Sequence, residues 1–126
     1  MTEVLYDAGA LIAAERNDRA FWADHRLRLE GGRIPTVPAT VVAQVSRSPR
    51  QAQLHRLIRG CQITELTESR AHQIGRVLSN SGSTDIVDAS VVVEAAARRA
   101  SIVTSDRKDI AHLLGGIGVK LTIIDV

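Results

Sequence analysis

Short apolar runs and longer periodic stretches take turns along this chain. Residues 3–6 read as a short strand that stops at Asp7, and residues 8–15 follow as a helix. A second helix spans 19–30 and is halted by Gly31-Gly32. Residues 34–37 are a short strand, and Pro38 opens the next helix in its first turn, where a missing N–H costs nothing. Pro49 ends that helix or offsets it from another over 51–59. A strand at 62–66, a helix at 68–78 and a polar turn at 80–83 come next. The pattern then predicts a helix at 85–99, a strand at 101–104, a helix at 106–114 and a last strand at 120–124.

Strands alternating with helices imply βαβ units. The expected class is α/β, a three-layer α/β/α arrangement around a mostly parallel sheet. The strands are short and rich in β-branched residues, as parallel strands covered on both faces tend to be. At 126 residues the chain fits one domain, 1–126, with no repeat and no linker.

The segment STDIVDASVVVEAA, residues 83–96, departs from a simple pattern. The valine run 91–93 suggests a strand, but about fifteen residues without Gly or Pro exceed a usual strand. On a helix, Ser90, Glu94 and Arg98 form a narrow polar stripe, and Glu94 can pair with Arg98. Asp88 lies far round from that stripe, with Asp85 about 60° away on the same side. An inward carboxylate is costly unless something offsets it. One offset is capping, with Asp85 at the N-cap and Asp88 favouring the helix dipole.

The same spacing returns in IVTSDRKDIAH, residues 102–112, where Asp106 and Asp109 open a helix behind a buried-looking strand. Capping explains this pair too, taken alone, with Ser105 as a further cap. Asp7 also follows a strand. Open parallel sheets bind ligands beyond the C-terminal ends of their strands, where Asp7 and Asp106 both fall. Several carboxylates on one rim repel each other, and a hard divalent cation with oxygen ligands, Mg²⁺ or Mn²⁺, removes the penalty. Thr104 or Ser105 can donate a hydrogen bond to an acid or a phosphate.

Composition adjusts this picture only in part. Three aromatics, Tyr6, Phe21 and Trp22, leave the core to Val, Ile, Leu and Ala. Cys61 is the only cysteine, so internal disulfides and Cys-based zinc sites are excluded, which suits a reducing cytoplasm. Glu3 and Asp7 stand where a signal peptide needs positive charge, and no stretch approaches a membrane-spanning length. The net charge of +2 is mild. Its distribution is less so, with seven arginines and one acid, Glu30, from Arg26 to Arg59. The four histidines are scattered and read as surface or packing residues.

LYDAGALIA with Asp7, TDIVDA with Asp88 and IVTSDRKDI with Asp106 together resemble the acidic landmarks of PIN-domain ribonucleases, above all the small VapC-type toxins of prokaryotic toxin–antitoxin pairs. The resemblance spans nearly the whole chain, and its specificity lies in the combination of short motifs. It implies a PIN-like fold and a Mg²⁺- or Mn²⁺-dependent endoribonuclease. Asp7, Asp88 and Asp106 match the core acids of that family, and Asp109 matches a frequent further acid. Dimerisation and silencing by a cognate antitoxin are implied as well. One position departs: PATVVAQVSR carries Gln44 where the family usually has Glu. Glutamine offers a carbonyl oxygen but no charge, and Asp85 is a possible replacement.

The chemistry implied is metal-assisted phosphodiester hydrolysis at Asp7, Asp88 and Asp106, with Asp109 in support. Arg47, Arg50, Arg56 and Arg59 are the expected pool of phosphate contacts to single-stranded or looped RNA. A phosphoacceptor receiver needs an Asp on the middle strand, and none occurs between Asp24 and Asp85. A haloacid-dehalogenase-type phosphatase needs Asp-x-Asp, and Asp7-Ala8-Gly9 lacks the second acid. The remaining alternative is a weak or inactive relative that binds RNA or an antitoxin without cutting.

Overall fold

The computed structural model describes residues 2–126. Five strands, β1 Val4–Tyr6, β2 Thr36–Pro38, β3 Gln62–Thr64, β4 Ser101–Thr104 and β5 Ile123–Asp125, form one sheet in the order β3-β2-β1-β4-β5. Every pairing is parallel, with Leu5 opposite Thr36 on one side and Ile102 on the other. The helices are α1 Ala8–Glu15, α2 Arg19–Glu30, α3 Ala39–Val45, α4 Ala52–Arg59, α5 Glu68–Ser81, α6 Ile86–Arg98 and α7 Arg107–Gly116. α1 lies on β1 and β4 and packs against α2 and α4, while α6 lies on β1, β2 and β4 and packs against α5 and α7. The result is the expected three-layer α/β/α architecture, with a sheet that is wholly parallel.

The order of the strands positions the site. From β1 the chain steps to β2 and β3 on one side, then returns to β4 and β5 on the other. The C-terminal ends of β1 and β4 therefore sit side by side at a topological switch point, where α/β sheets form their crevices. Asp7 and Thr104 emerge there. The core around them is aliphatic, as the composition requires, with Leu5, Leu11, Val37, Leu54, Val91 and Ile102 fully buried.

Several boundaries differ from those expected, β3 ending at Thr64 rather than 66 and β5 spanning Ile123–Asp125 rather than 120–124 among them, and three differ for plain physical reasons. Pro38 is the last residue of β2, paired with Thr64, and caps α3 from outside rather than opening it. Ile34, outside the strand, is left 63% exposed. α5 runs three residues past its expected end, through Asn80 and Ser81, until Gly82 at φ 73° stops it in the left-handed conformation. The stripe of Ser90 and Glu94 is buried, because α6 is covered by α3, α5 and the sheet. It is satisfied internally: Ser90 and Thr40 share a hydrogen bond, and Glu94 accepts from Arg70 Nε at 2.7 Å with Arg98 beside it. Cys61 is half-buried, and burial pushes its thiol up to about 12, so it is a packing residue rather than a nucleophile.

Candidate active site

Three aspartates of the site, Asp7, Asp85 and Asp106, hold N-cap positions, and their hydrogen bonds separate caps from a free carboxylate. Asp7 is the N-cap of α1, and its Oδ1 accepts from the Ala8 amide at 2.7 Å. Its Oδ2 accepts from the Thr104 hydroxyl, also at 2.7 Å. Thr104 in turn accepts from the Asp106 amide at 2.9 Å. One buried hydroxyl at the end of β4 thus fixes the Asp7 carboxylate and the start of the turn that carries Asp106. Asp85 is a true cap, with Oδ1 accepting from the Asp88 amide at 2.9 Å.

Asp106 is different. It holds the N-cap position of α7, yet its side chain bonds no helix amide. Ser105 does not cap either: it is exposed and lies against α1. The close approach is made possible by Gly9, where a Cβ would stand 2.7 Å from the Ser105 backbone nitrogen. A glycine two residues after an acid is a weak sequence signal, and this one would have marked the contact.

Asp88, Asp106 and Asp109 each bring a carboxylate oxygen within 4.8 Å of the others. Asp88 is the buried member, at 8% exposure, and the other two open toward solvent. Burial, followed by the negative charges of Asp85, Asp7, Asp106 and Asp109, pushes the Asp88 carboxyl up to about 7. Asp106 is raised by burial and then by Asp109 and Asp7. Asp7 is raised chiefly by burial, against the lowering effect of its bonds to Thr104 and Ala8. Asp7 thus faces the trio electrostatically, with one bond made to each of its oxygens by protein donors. Three oxygen donors converging under mutual repulsion form a set that fits a hard divalent cation.

The other expected residues, Gln44, Arg47 and Arg50, are all exposed. Gln44 is exposed on α3, which packs on α1 and α6. The Arg47 guanidinium donates to the Ala43 and Ser46 carbonyls at 2.7 and 2.8 Å and so closes the C-terminus of α3. Arg50 is exposed in the turn before α4.

The Thr104 bridge has a measurable consequence. Thr104→Val keeps the shape but leaves the Asp7 oxygen and the Asp106 amide each short of a partner. A loss of about 1–3 kcal/mol in urea unfolding is expected. Unchanged stability would mean that water replaces the hydroxyl without cost.

No protein-family model matches the sequence, and no curated protein does. Solved structures do match in fold. VapBC2 from Rickettsia felis, crystallised with a DNA fragment from its promoter, superposes at a TM-score of 0.74 and 14% identity, over 99% of each chain. DNA-bound VapBC from Salmonella typhimurium gives 0.72 and 12%, over 99% of this chain and 98% of that one. PAE2754 from Pyrobaculum aerophilum gives 0.66 and 22%, over 99% and 91%. At such identities the likeness speaks for the path of the chain rather than for its chemistry. With its strand order and full-length match, this chain has the fold of a VapC-type PIN domain.

Proposed function

We propose that the protein is a metal-dependent endoribonuclease toxin that hydrolyses RNA phosphodiester bonds and is neutralised by a cognate antitoxin. The observation that carries this reading is the convergence of Asp88, Asp106 and Asp109 on one mouth, beside the buried Asp7. The antitoxin is supported by the similar folds found in VapBC complexes. A homodimer is part of the proposal, by the same resemblance. Among the described residues, no helix is long and apolar enough to cross a membrane.

Asp88, Asp106 and Asp109 would hold Mg²⁺ or Mn²⁺, in place of the expected set of Asp7, Asp88 and Asp106, with Asp7 completing the negative wall. A bound cation supplies charge to the scissile phosphate and acidifies water. The chain does the rest. Asp7 is fixed beside the mouth by Thr104 and the Ala8 amide. Asp85 holds the first turn of α6 in place, so that Asp88 projects from a rigid helix end. Asp109 orients water from the open side, and Ser105 is at hand for the phosphate.

The test is RNA cleavage by purified protein with Mn²⁺ or Mg²⁺, against EDTA and Asp7→Ala controls. Cleavage that survives Asp7→Ala points to a contaminant. Folded protein that cuts no RNA favours the second reading, a binding module without catalysis, which Gln44 in the usual place of a Glu supports. Gln44→Glu separates the two further. It should tighten Mn²⁺ binding about fivefold in calorimetry, through one added charge near the mouth. An unchanged affinity puts Gln44 outside the metal's surroundings.

A further inference from the structure

An acidic mouth repels the polyanion it is meant to cut, so the strand must be held elsewhere. Arg47 is engaged with the end of α3. A better candidate lies between α2 and α4, in a cavity of about 480 Å³ lined by Arg19, Arg26, Arg56, Trp22, His25 and Asn17 among others. That volume is within the usual range for small-ligand sites. The cavity's described lining contains three arginines and no carboxylate. None of the three arginines forms an ion pair among the described residues.

The wall behind the cavity adds to the positive field. Arg28 is buried, and its guanidinium donates to the Tyr6 hydroxyl at 3.1 Å. That hydroxyl is bonded to His25 Nδ1 at 2.7 Å. Burial and the charges of Arg28 and Arg56 hold His25 below its ordinary value, which keeps the ring neutral. The Arg56 guanidinium lies 4.5 Å from the centre of the Trp22 ring, and the Trp22 indole N–H is anchored on the Ala14 carbonyl at 3.2 Å. A guanidinium stacked on an indole is a flat cationic platform of the kind that holds nucleobases. Ala14 and Asp7 stand near opposite ends of α1, a helix about 12 Å long.

We infer that the cavity between α2 and α4 holds a nucleotide of the same single-stranded RNA that is cut at the acidic mouth, with phosphate on Arg19 and Arg26 and the base against the Arg56–Trp22 stack. The inference rests on the ribonuclease reading and gives it a strand path along α1. The platform favours RNA over an acidic peptide, whose carboxylates would use the arginines but leave the flat face idle.

Trp22 is the only tryptophan, so its emission reports this cavity directly. The probe is a short oligouridylate, titrated in EDTA so that no cutting occurs. A saturable change in Trp22 emission is expected. Arg19→Ala and Arg26→Ala should each weaken binding about tenfold and lower the salt slope by about one, while Arg76→Ala on α5 does neither. In cleavage the same two variants should raise KM and spare kcat. Cleavage that persists with a silent Trp22, or binding unchanged in both arginine variants, overturns the cavity alone. A polyglutamate that binds here more tightly than the oligouridylate assigns the cavity to a peptide and also overturns it. No RNA binding by any measure, together with no cleavage, sinks the ribonuclease reading as well.

Discussion

Asp88→Asn is expected to lower RNA cleavage about a thousandfold while making the metal-free protein harder to unfold. The two effects have one cause. Asp88 is the buried carboxylate of the converging trio, and four other aspartates raise its affinity for a proton. Asparagine keeps the shape and removes the charge. A divalent cation then loses its most desolvated anionic partner, and a loss of roughly 4 kcal/mol in the transition state corresponds to three powers of ten in rate. Without the cation, the same change relieves repulsion. It forfeits part of the favourable charge at the N-terminus of α6, about 0.3–1 kcal/mol. At a pH of about 8, where the parent's Asp88 is ionised, the relief is the larger, since burial penalises the charged form too, and a rise in Tm of roughly 2–4 °C in EDTA is expected. The paired readout matters because a variant that merely misfolds would lose both activity and stability. Activity near that of the parent would remove Asp88 from the chemistry. A lower Tm in EDTA would mean that the carboxylate is stabilised by something other than a cation.

The sequence made this position legible because burial and charge conflict there. A helix long enough to exclude a strand, with an aspartate on its apolar side, predicts the inward carboxylate that the structure shows at 8% exposure. The class of fold was legible for a related reason, since alternating short β-branched strands and amphipathic helices allow few packings. What local pattern could not reveal was set by tertiary cover. Ser90 and Glu94 read as a polar stripe because nothing in their neighbourhood foretells Thr40 and Arg70, which arrive from α3 and α5. Pro38 reads as a helix opener until β3 pairs with it across more than twenty residues. Capping and metal binding use the same residues at the same spacing. Only coordinates separate Asp85, which bonds the Asp88 amide, from Asp106, which bonds no helix amide. The cavity between α2 and α4 was half visible: the run of arginines from Arg26 to Arg59 was plain, but not that Arg26 and Arg56 face one space with Trp22.

The second large effect concerns pH and follows from the same conflict. An aspartate in an unfolded chain titrates at about 3.9. In the folded protein Asp88 titrates at about 7. Between those values the folded state holds a proton that the unfolded state has released. Raising the pH across this window therefore costs the metal-free fold stability, and the loss is complete once the pH exceeds about 7. A divalent cation competes with that proton. Below the window's upper end it must displace the proton first, whereas above it the site is already charged and repelling. Mg²⁺ in roughly hundredfold excess over its Kd contributes about 2.7 kcal/mol. In a protein of this size that is a Tm rise of roughly 8 °C at a pH of about 8, and less than half of it near pH 5.5. Differential scanning calorimetry at both values, with and without Mg²⁺, decides the matter. Asp88→Asn should flatten the difference, since its carboxamide has no proton to lose. An equal Mg²⁺ effect at both values, or one that survives Asp88→Asn in full, would put the cation on other carboxylates and leave Asp88 as a buried acid without a ligand.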